Sequence, residues 1–275
     1  MKKIVILTGN ELRHNFFRTF LGSSREINVL KTFCESAATL EEKVNKESES
    51  EARSTHLKQR TETEVDFFQA FVQRVPDSSN PLVIPKGEIN SEVHVREIIR
   101  LNPDFIVSYG CSIIKSELIQ HFENRFINVH LGLSPYYRGS GTNFWPFVNG
   151  EPEFIGVTFM HIDSGIDTGK IIHQIRARIH PWDSMHTIGN RLIADAAETC
   201  ESLLIHSGSL EEIPEGYFPE LAEKYYRNKD FDEQSVNQAY ENFAKGMLPA
   251  YLDTLEERQA KSPIFSNPGL SQQTS

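Results

Sequence analysis

The sequence predicts an α/β fold: a Rossmann-like parallel sheet followed by a small, mainly helical C-terminal appendage. Short apolar runs alternate with helix-patterned stretches up to about His130, the rhythm of a parallel sheet covered on both faces. Beyond His130 the rhythm changes to two strand-like runs flanking a Gly-rich turn, and then to helix-leaning, acid-rich sequence. The chain of 275 residues is long enough for one such core and an addition.

Each element follows from its own pattern. Lys3 to Leu7 is a short strand of buried type that stops at Gly9. A helix is expected from Glu11 to Leu21, with Leu12, Phe16, Phe17 and Phe20 on one face. Ile27 to Phe33 reads as the second strand. The charged stretch from Ala37 to Arg74 reads as helix, with its apolar residues returning at Val65, Phe67, Phe68, Phe71 and Val72. Leu82 to Ile84 is a third strand. Ser91 looks like an N-cap for a helix that buries Val95, Ile98 and Ile99. Pro103-Asp104 leads into the strand Phe105 to Ser108. A short helix from Glu117 to Phe122 then precedes the strand Phe126 to His130. Ile155 to Ile162 and Ile171 to Ile179 form a hairpin-like pair, and Met185 to His206 is a helix. A further helix is expected around Gln234 to Met247. The divisions expected are 1–180 as catalytic domain, 181–260 as helical region and 261–275 as a disordered tail.

Composition narrows the function. A net charge of -10 disfavours nucleic acid or an anionic membrane as partner. The three cysteines, Cys34, Cys111 and Cys200, are far apart and form no C-x-x-C, which fits a reducing compartment. The four-residue apolar run Ile4 to Leu7 is too short for a signal-peptide core, and no stretch has membrane-spanning length. A cytoplasmic location is expected.

The chemistry-bearing residues come in order: Asn128-Val129-His130, then Leu133 to Gly139, then Asp163 to Gly169. Two residues apart on a strand, Asn128 and His130 share a face. An amide and an imidazole there can donate to an oxyanion formed when an amine attacks an acyl carbon. Asp167 can hold the imidazole protonated or position a proton-relaying water. The separation between His130 and Asp167 requires the fold to bring the hairpin turn back over the strand end.

The stretch from about Asn102 to His173 resembles the folate-dependent formyltransferases. These include glycinamide ribonucleotide transformylase, methionyl-tRNA formyltransferase and the sugar N-formyltransferases. The shared pattern is an N-x-H strand end, a Leu-Pro turn with a nearby Arg-Gly, and a D-x-G turn. The resemblance implies the formyltransferase fold, with Asn128, His130 and Asp167 as catalytic residues, 10-formyltetrahydrofolate as co-substrate and no metal. It also implies a folate site formed by Tyr109, Gly110, Cys111, Ile113, His161 and Asp163. Ser134, Tyr137, Arg138 and Gly139 are candidates for substrate contact. One departure is Gly132, where the family usually carries serine.

The resemblance admits three kinds of acceptor. The first loop, Thr8 to Arg13, has one glycine and an intruding Glu11, a poor phosphate cradle for glycinamide ribonucleotide. The residues after Pro181 are acid-rich and poorly equipped to bind tRNA, which leaves a methionyl-tRNA formyltransferase-like enzyme as an alternative. A nucleotide-linked amino sugar is left, with the Tyr136, Tyr137, Phe144 and Trp145 rings and Arg138 available to stack on a base or pair with phosphate. Other readings are a formyltetrahydrofolate hydrolase and a folate- or nucleotide-binding protein without turnover. A small-molecule amine is the expected partner, with a homodimer possible.

Some residues carry plainer readings. Arg13 and His14 are expected at the surface, and Asp163 as a turn-former. Arg138 is either a phosphate clamp or a surface cation. The 37–66 stretch is a solvated helix face, with a lid or dimer contact as the sharper alternative. His161, Asp163 and His173 fit no compact metal site.

Overall fold

The computed structural model describes residues 1–36, 50–220 and 222–271. Five parallel strands come first: β1 (Lys2–Gly9), β2 (Ile27–Glu35), β3 (Pro81–Ile84), β4 (Phe105–Tyr109) and β5 (Phe126–His130). The helices between them are α1 (Leu12–Ser23), α2 (Glu51–Arg74), α3 (Glu92–Leu101) and α4 (Ser116–His121). A short strand β6 (Tyr137–Gly139) and a helical turn α5 (Trp145–Asn149) lead into an antiparallel pair, β7 (Gly156–His161) and β8 (Ile171–Arg176). Then come α6 (Met185–Ile205), β9 (Lys224–Tyr226), α7 (Glu233–Ala244), α8 (Met247–Asp253), α9 (Leu255–Lys261) and α10 (Pro268–Ser271).

The main sheet has seven strands in the order β3-β2-β1-β4-β5-β7-β8. β1 is central because its apolar run, Ile4 to Leu7, is fully buried on both faces. Alternation divides it: Ile4 and Ile6 join α1, α2 and α6 through Phe17, Phe68 and Leu192, while Val5 and Leu7 join α3 and α4 through Ile98 and Leu118. The chain builds outward from β1 to β3, then crosses to β4 on the other side. That reversal opens a crevice at the strands' carboxyl ends.

The helix boundaries follow local chemistry. Ser184 caps α6 by accepting from Thr187 N, and Ser50 caps α2 by accepting from Arg53 N. Ser91 stands at the N-cap of α3 as expected, but its side chain makes no capping bond. The helical expectation for 37–49 lies outside the described residues, and α2 accounts for the rest of that stretch.

Three expectations change. Residues 181–260 are not set apart from the sheet: α6 packs in the same cluster as β1, and Ala239 and Leu248 join it. Nor are they purely helical: β9 pairs in parallel with β6, a ladder that three-residue strands do not announce in sequence. Of the expected tail, 272–275 lie outside the described residues, and residues 262–271 are packed rather than disordered. Phe265 N and O bond to Gln174, and Asn267 Nδ2 donates to Ile172 O, so this segment covers the outer edge of β8. No helix among the described residues is long and apolar enough to cross a membrane.

Candidate active site

β5 carries two of the candidate side chains at its carboxyl end. Ile127 and Val129 face the cluster of α1 and α6, which leaves Asn128 and His130 on the face shared with Phe126. Ser108 Oγ, from the neighbouring register position on β4, donates to Asn128 Oδ1 at 2.9 Å. With its oxygen engaged, the amide presents its NH2 to the cleft.

The third residue arrives from the β7–β8 turn. β7 runs antiparallel to β5 and ends beside Ile127, so the turn must fold back along β5 to reach His130. Asp163 shapes it as expected: its carboxylate accepts from Gly165 N at 2.9 Å and from Thr168 Oγ1. Asp167 sits in the left-handed region, with φ +54. Its Oδ1 lies 3.2 Å from His130 Nδ1, and its Oδ2 accepts from Gly139 N at 2.9 Å.

His130 is buried, with Nε2 3.3 Å from Tyr137 O, so each ring nitrogen lies beside an acceptor. Burial is the largest influence and lowers its pKa, against the Asp167 carboxylate and the Tyr137 carbonyl. The ring is therefore biased to its neutral form, which disfavours the first of the two roles expected of Asp167, holding it protonated. Gly132 is required here: a Cβ would fall 2.5 Å from His130 Nε2 and 2.6 Å from Thr142 Oγ1.

These groups line a cleft of about 750 Å³. Of the sequence-derived candidates, Asn128, His130, Asp167, Tyr109, Gly110, Cys111, Ile113, His161, Asp163 and Gly139 all border it. Cys111 is a neutral thiol, its pKa pushed up to about 12 by burial. Ser134, Tyr137 and Arg138 are not among the lining residues. Ser134 is buried behind the wall, where its backbone bonds to Thr158 and Gln174. The Tyr137 hydroxyl bonds Glu151 and Asn149, and Arg138 pairs with Glu223 at 2.6 Å. Tyr136 and Trp145 are core residues, Trp145 stacking on Tyr226 at 4.1 Å. Phe144 alone of those four rings borders the cleft.

Several lining residues escaped sequence reasoning. Arg13 and His14 were placed at the surface, yet His14 is 4% exposed. Its ring fills the gap between two strand ends, where a Cβ on Gly9 or on Gly110 would lie 2.5 Å from it. On α2, His56, Arg60 and Glu64 recur every fourth residue and face the cleft. Their spacing was the available signal, but a polar face looks the same whether it meets solvent or a cleft. Arg13 lies 2.8 Å from Glu64 and also pairs with Glu11, while Arg60 lies 3.2 Å from Glu64 and 3.6 Å from Glu11. Burial opposes the Arg13 charge, but those two carboxylates outweigh it and raise its pKa. From α6 come His186 and Asn190, one turn apart.

No group of three or more His, Cys, Asp or Glu residues suited to a metal ion occurs among the described residues.

Known proteins resemble the chain at two levels. A family model described as "Formyl transferase" matches residues 2–202. A methionyl-tRNA formyltransferase of Desulforamulus reducens is 41% identical over 103 residues, 37% of this chain and 32% of that protein. Another, from Synechococcus sp., is 31% identical over 160 residues, 57% of this chain and 49% of that protein. The matched segments thus span about a third to a half of these relatives' length. Among solved structures, the formyltransferase PseJ from Anoxybacillus kamchatkensis, in complex with UDP-4,6-dideoxy-4-formamido-L-AltNAc and tetrahydrofolate, aligns with a TM-score of 0.51. It is 23% identical, with 86% of this chain and 97% of that one covered. A 4-N formyltransferase from Francisella tularensis aligns with a TM-score of 0.53 at 19% identity, covering 86% of each chain. At these identities the structural likeness speaks for the fold.

Proposed function

This chain belongs to the formyl transferase family, and on that premise we propose that it moves a formyl group from 10-formyltetrahydrofolate to the primary amine of a nucleotide-linked amino sugar. The observation that carries the chemistry is the convergence of Asn128, His130 and Asp167 on one cleft. The loop from Tyr109 to Ile113 and the segment from His161 to Asp163 provide the folate side.

In this reading the acceptor nitrogen bonds to the formyl carbon, and the carbonyl oxygen becomes an oxyanion. The Asn128 amide donates to it, contributing about 3–4 kcal/mol to the transition state. The bond from the formyl carbon to the folate nitrogen then breaks. The proton shed by the amine must reach that nitrogen. A neutral His130 can accept it and hand it on, because Asp167 and the oxyanion together favour the imidazolium as charge develops.

The test is a transfer assay with dTDP-, UDP- and GDP-linked amino sugars, reading formylated product by mass. Asn128→Ala, His130→Ala and Asp167→Ala should each lower kcat by about a hundredfold or more. Near-full activity of purified His130→Ala would overturn the assignment.

Methionyl-tRNA is the second acceptor to assay, because the sequence relatives are named for it. Against it stand the net charge of -10 and the acidic run from Glu211 to Glu223. Formylation of methionyl-tRNA and of no sugar nucleotide would reverse the choice.

A further inference from the structure

The folate side of the cleft is made by a stretch with little regular structure. Gly110, at φ +68, turns the chain out of β4, and residues 111–115 lie in neither helix nor strand before α4 begins at Ser116. Cys111, Ser112, Ile113 and Ile114 nonetheless border the cleft. Backbone outside a helix or ladder presents a fixed shape to a ligand only when other groups hold it.

Two side chains outside the cleft do so. Glu35 ends β2 and is 4% exposed. One of its carboxylate oxygens accepts from Ser112 N at 2.7 Å and the other from Gly87 N at 2.8 Å. Asn90 closes the 3-10 turn Glu88–Asn90 that follows β3. Its Nδ2 donates to Ile113 O at 2.9 Å, and its Oδ1 accepts from Lys115 N at 2.8 Å. In the order β3-β2-β1-β4, the loop after β4 is thereby drawn across the end of β1 and tied to β2 and to the turn after β3.

This clasp also sets which side chains turn inward. Ile89 and Ile114, one from each half, are buried in the cluster beneath and anchor it. Ile113, whose carbonyl Asn90 holds, is instead 76% exposed at the border of the cleft. The chemistry of the two holders suits the task. A carboxylate only accepts, so both oxygens can take backbone N–H groups at once, with charge-assisted strength. A carboxamide donates and accepts, and Asn90 uses both functions on the same loop. Neither Glu35 nor Asn90 lines the cleft, so each reaches a ligand only through the loop.

We propose that Glu35 and Asn90 are positioning residues for the one-carbon donor. They hold the 111–115 loop in its binding shape before the folate arrives, so that binding does not have to order it. The inference rests on the reading of this loop as the folate side of an N-formyltransferase cleft.

Calorimetry with tetrahydrofolate and the full-length protein tests it without any choice of acceptor. Glu35→Gln turns one accepting oxygen into a donor, and Asn90→Ala removes two bonds to the loop. Each should raise the Kd by about fivefold or more. Amide hydrogen exchange at 111–115 should quicken in each unliganded variant and return to the wild-type rate once tetrahydrofolate is bound. In transfer assays the KM for 10-formyltetrahydrofolate should rise in parallel, while the acceptor KM stays within about twofold and kcat within about threefold of wild type. A smaller rise in Kd in either folded variant would overturn the clasp and leave the N-formyltransferase reading standing. A raised Kd accompanied by a raised acceptor KM and by faster exchange throughout the sheet would show a general packing role and overturn it as well. Failure of the wild type to bind tetrahydrofolate would overturn the parent reading itself.

Discussion

His130 depends on a residue with no side chain. Gly132 leaves the space that the imidazole and Thr142 share. Gly132→Ser, which would place the usual family residue there, should therefore lower kcat at least tenfold and destabilise the protein by about 1–3 kcal/mol through overpacking. Transfer assays and thermal melts check both; wild-type values for both would show that the ring and Thr142 can yield. At this scale the sequence was informative where chemistry and spacing coincide: Asn128, His130 and Asp167 border one cleft. It was uninformative for His14, whose burial depends on two glycines about a hundred residues apart. Tyr137 and Arg138 illustrate the opposite case. Their proximity in sequence to His130 suggested ligand contact, but their partners Glu151 and Glu223 lie in segments that no local pattern connects to them.

Among the elements, α6 carries both packing and site. Gly189 lies mid-helix, and a Cβ there would meet nothing within 4 Å. Gly189→Ala should stabilise the fold by roughly 0.5–1 kcal/mol by restricting the unfolded backbone. If the acceptor fills that space, the same change should raise its KM. Denaturant melts and kinetics separate the two effects. The segment after α9 makes a different demand. Asn267 is fully buried; its Nδ2 donates to Ile172 O and Glu211 O, and its Oδ1 accepts from Glu211 N and Gly269 N. Asn267→Ala strands these backbone groups and should cost about 3 kcal/mol or more by urea titration; a loss below about 1 kcal/mol would mean that the segment is loosely held. Strands and amphipathic helices were legible because their periods are local. This segment was not, since Ser, Asn and Pro look like loop until β8 offers an edge to cover.

For the whole molecule, buried neutral histidines set an acid limit. Burial lowers the pKa of His56 and His173 to about 4 and of His186 to about 3. Unfolding restores an ordinary value near 6.5, so below about pH 6.5 the unfolded chain binds more protons than the folded one. Stability is thus complete above that pH and falls as pH drops toward about 4, by about 1.4 kcal/mol per pH unit for each proton. His173→Gln should reduce the pH dependence by one proton in urea melts between pH 7 and 5; an unaltered slope would show that His173 titrates normally when folded. The alternation of strand and helix foretold the parallel strands of the sheet, though not their order. What it could not foretell was the strap β9, which pairs with β6 across Gly139, the residue whose N–H seats Asp167. That strap lies in the last fifth of the chain. A ribosome releasing this protein exposes all seven strands of the main sheet first, while the peptide that clamps the carboxylate still lacks its mate. The seat of that carboxylate is accordingly completed only after all seven strands of the main sheet have been made.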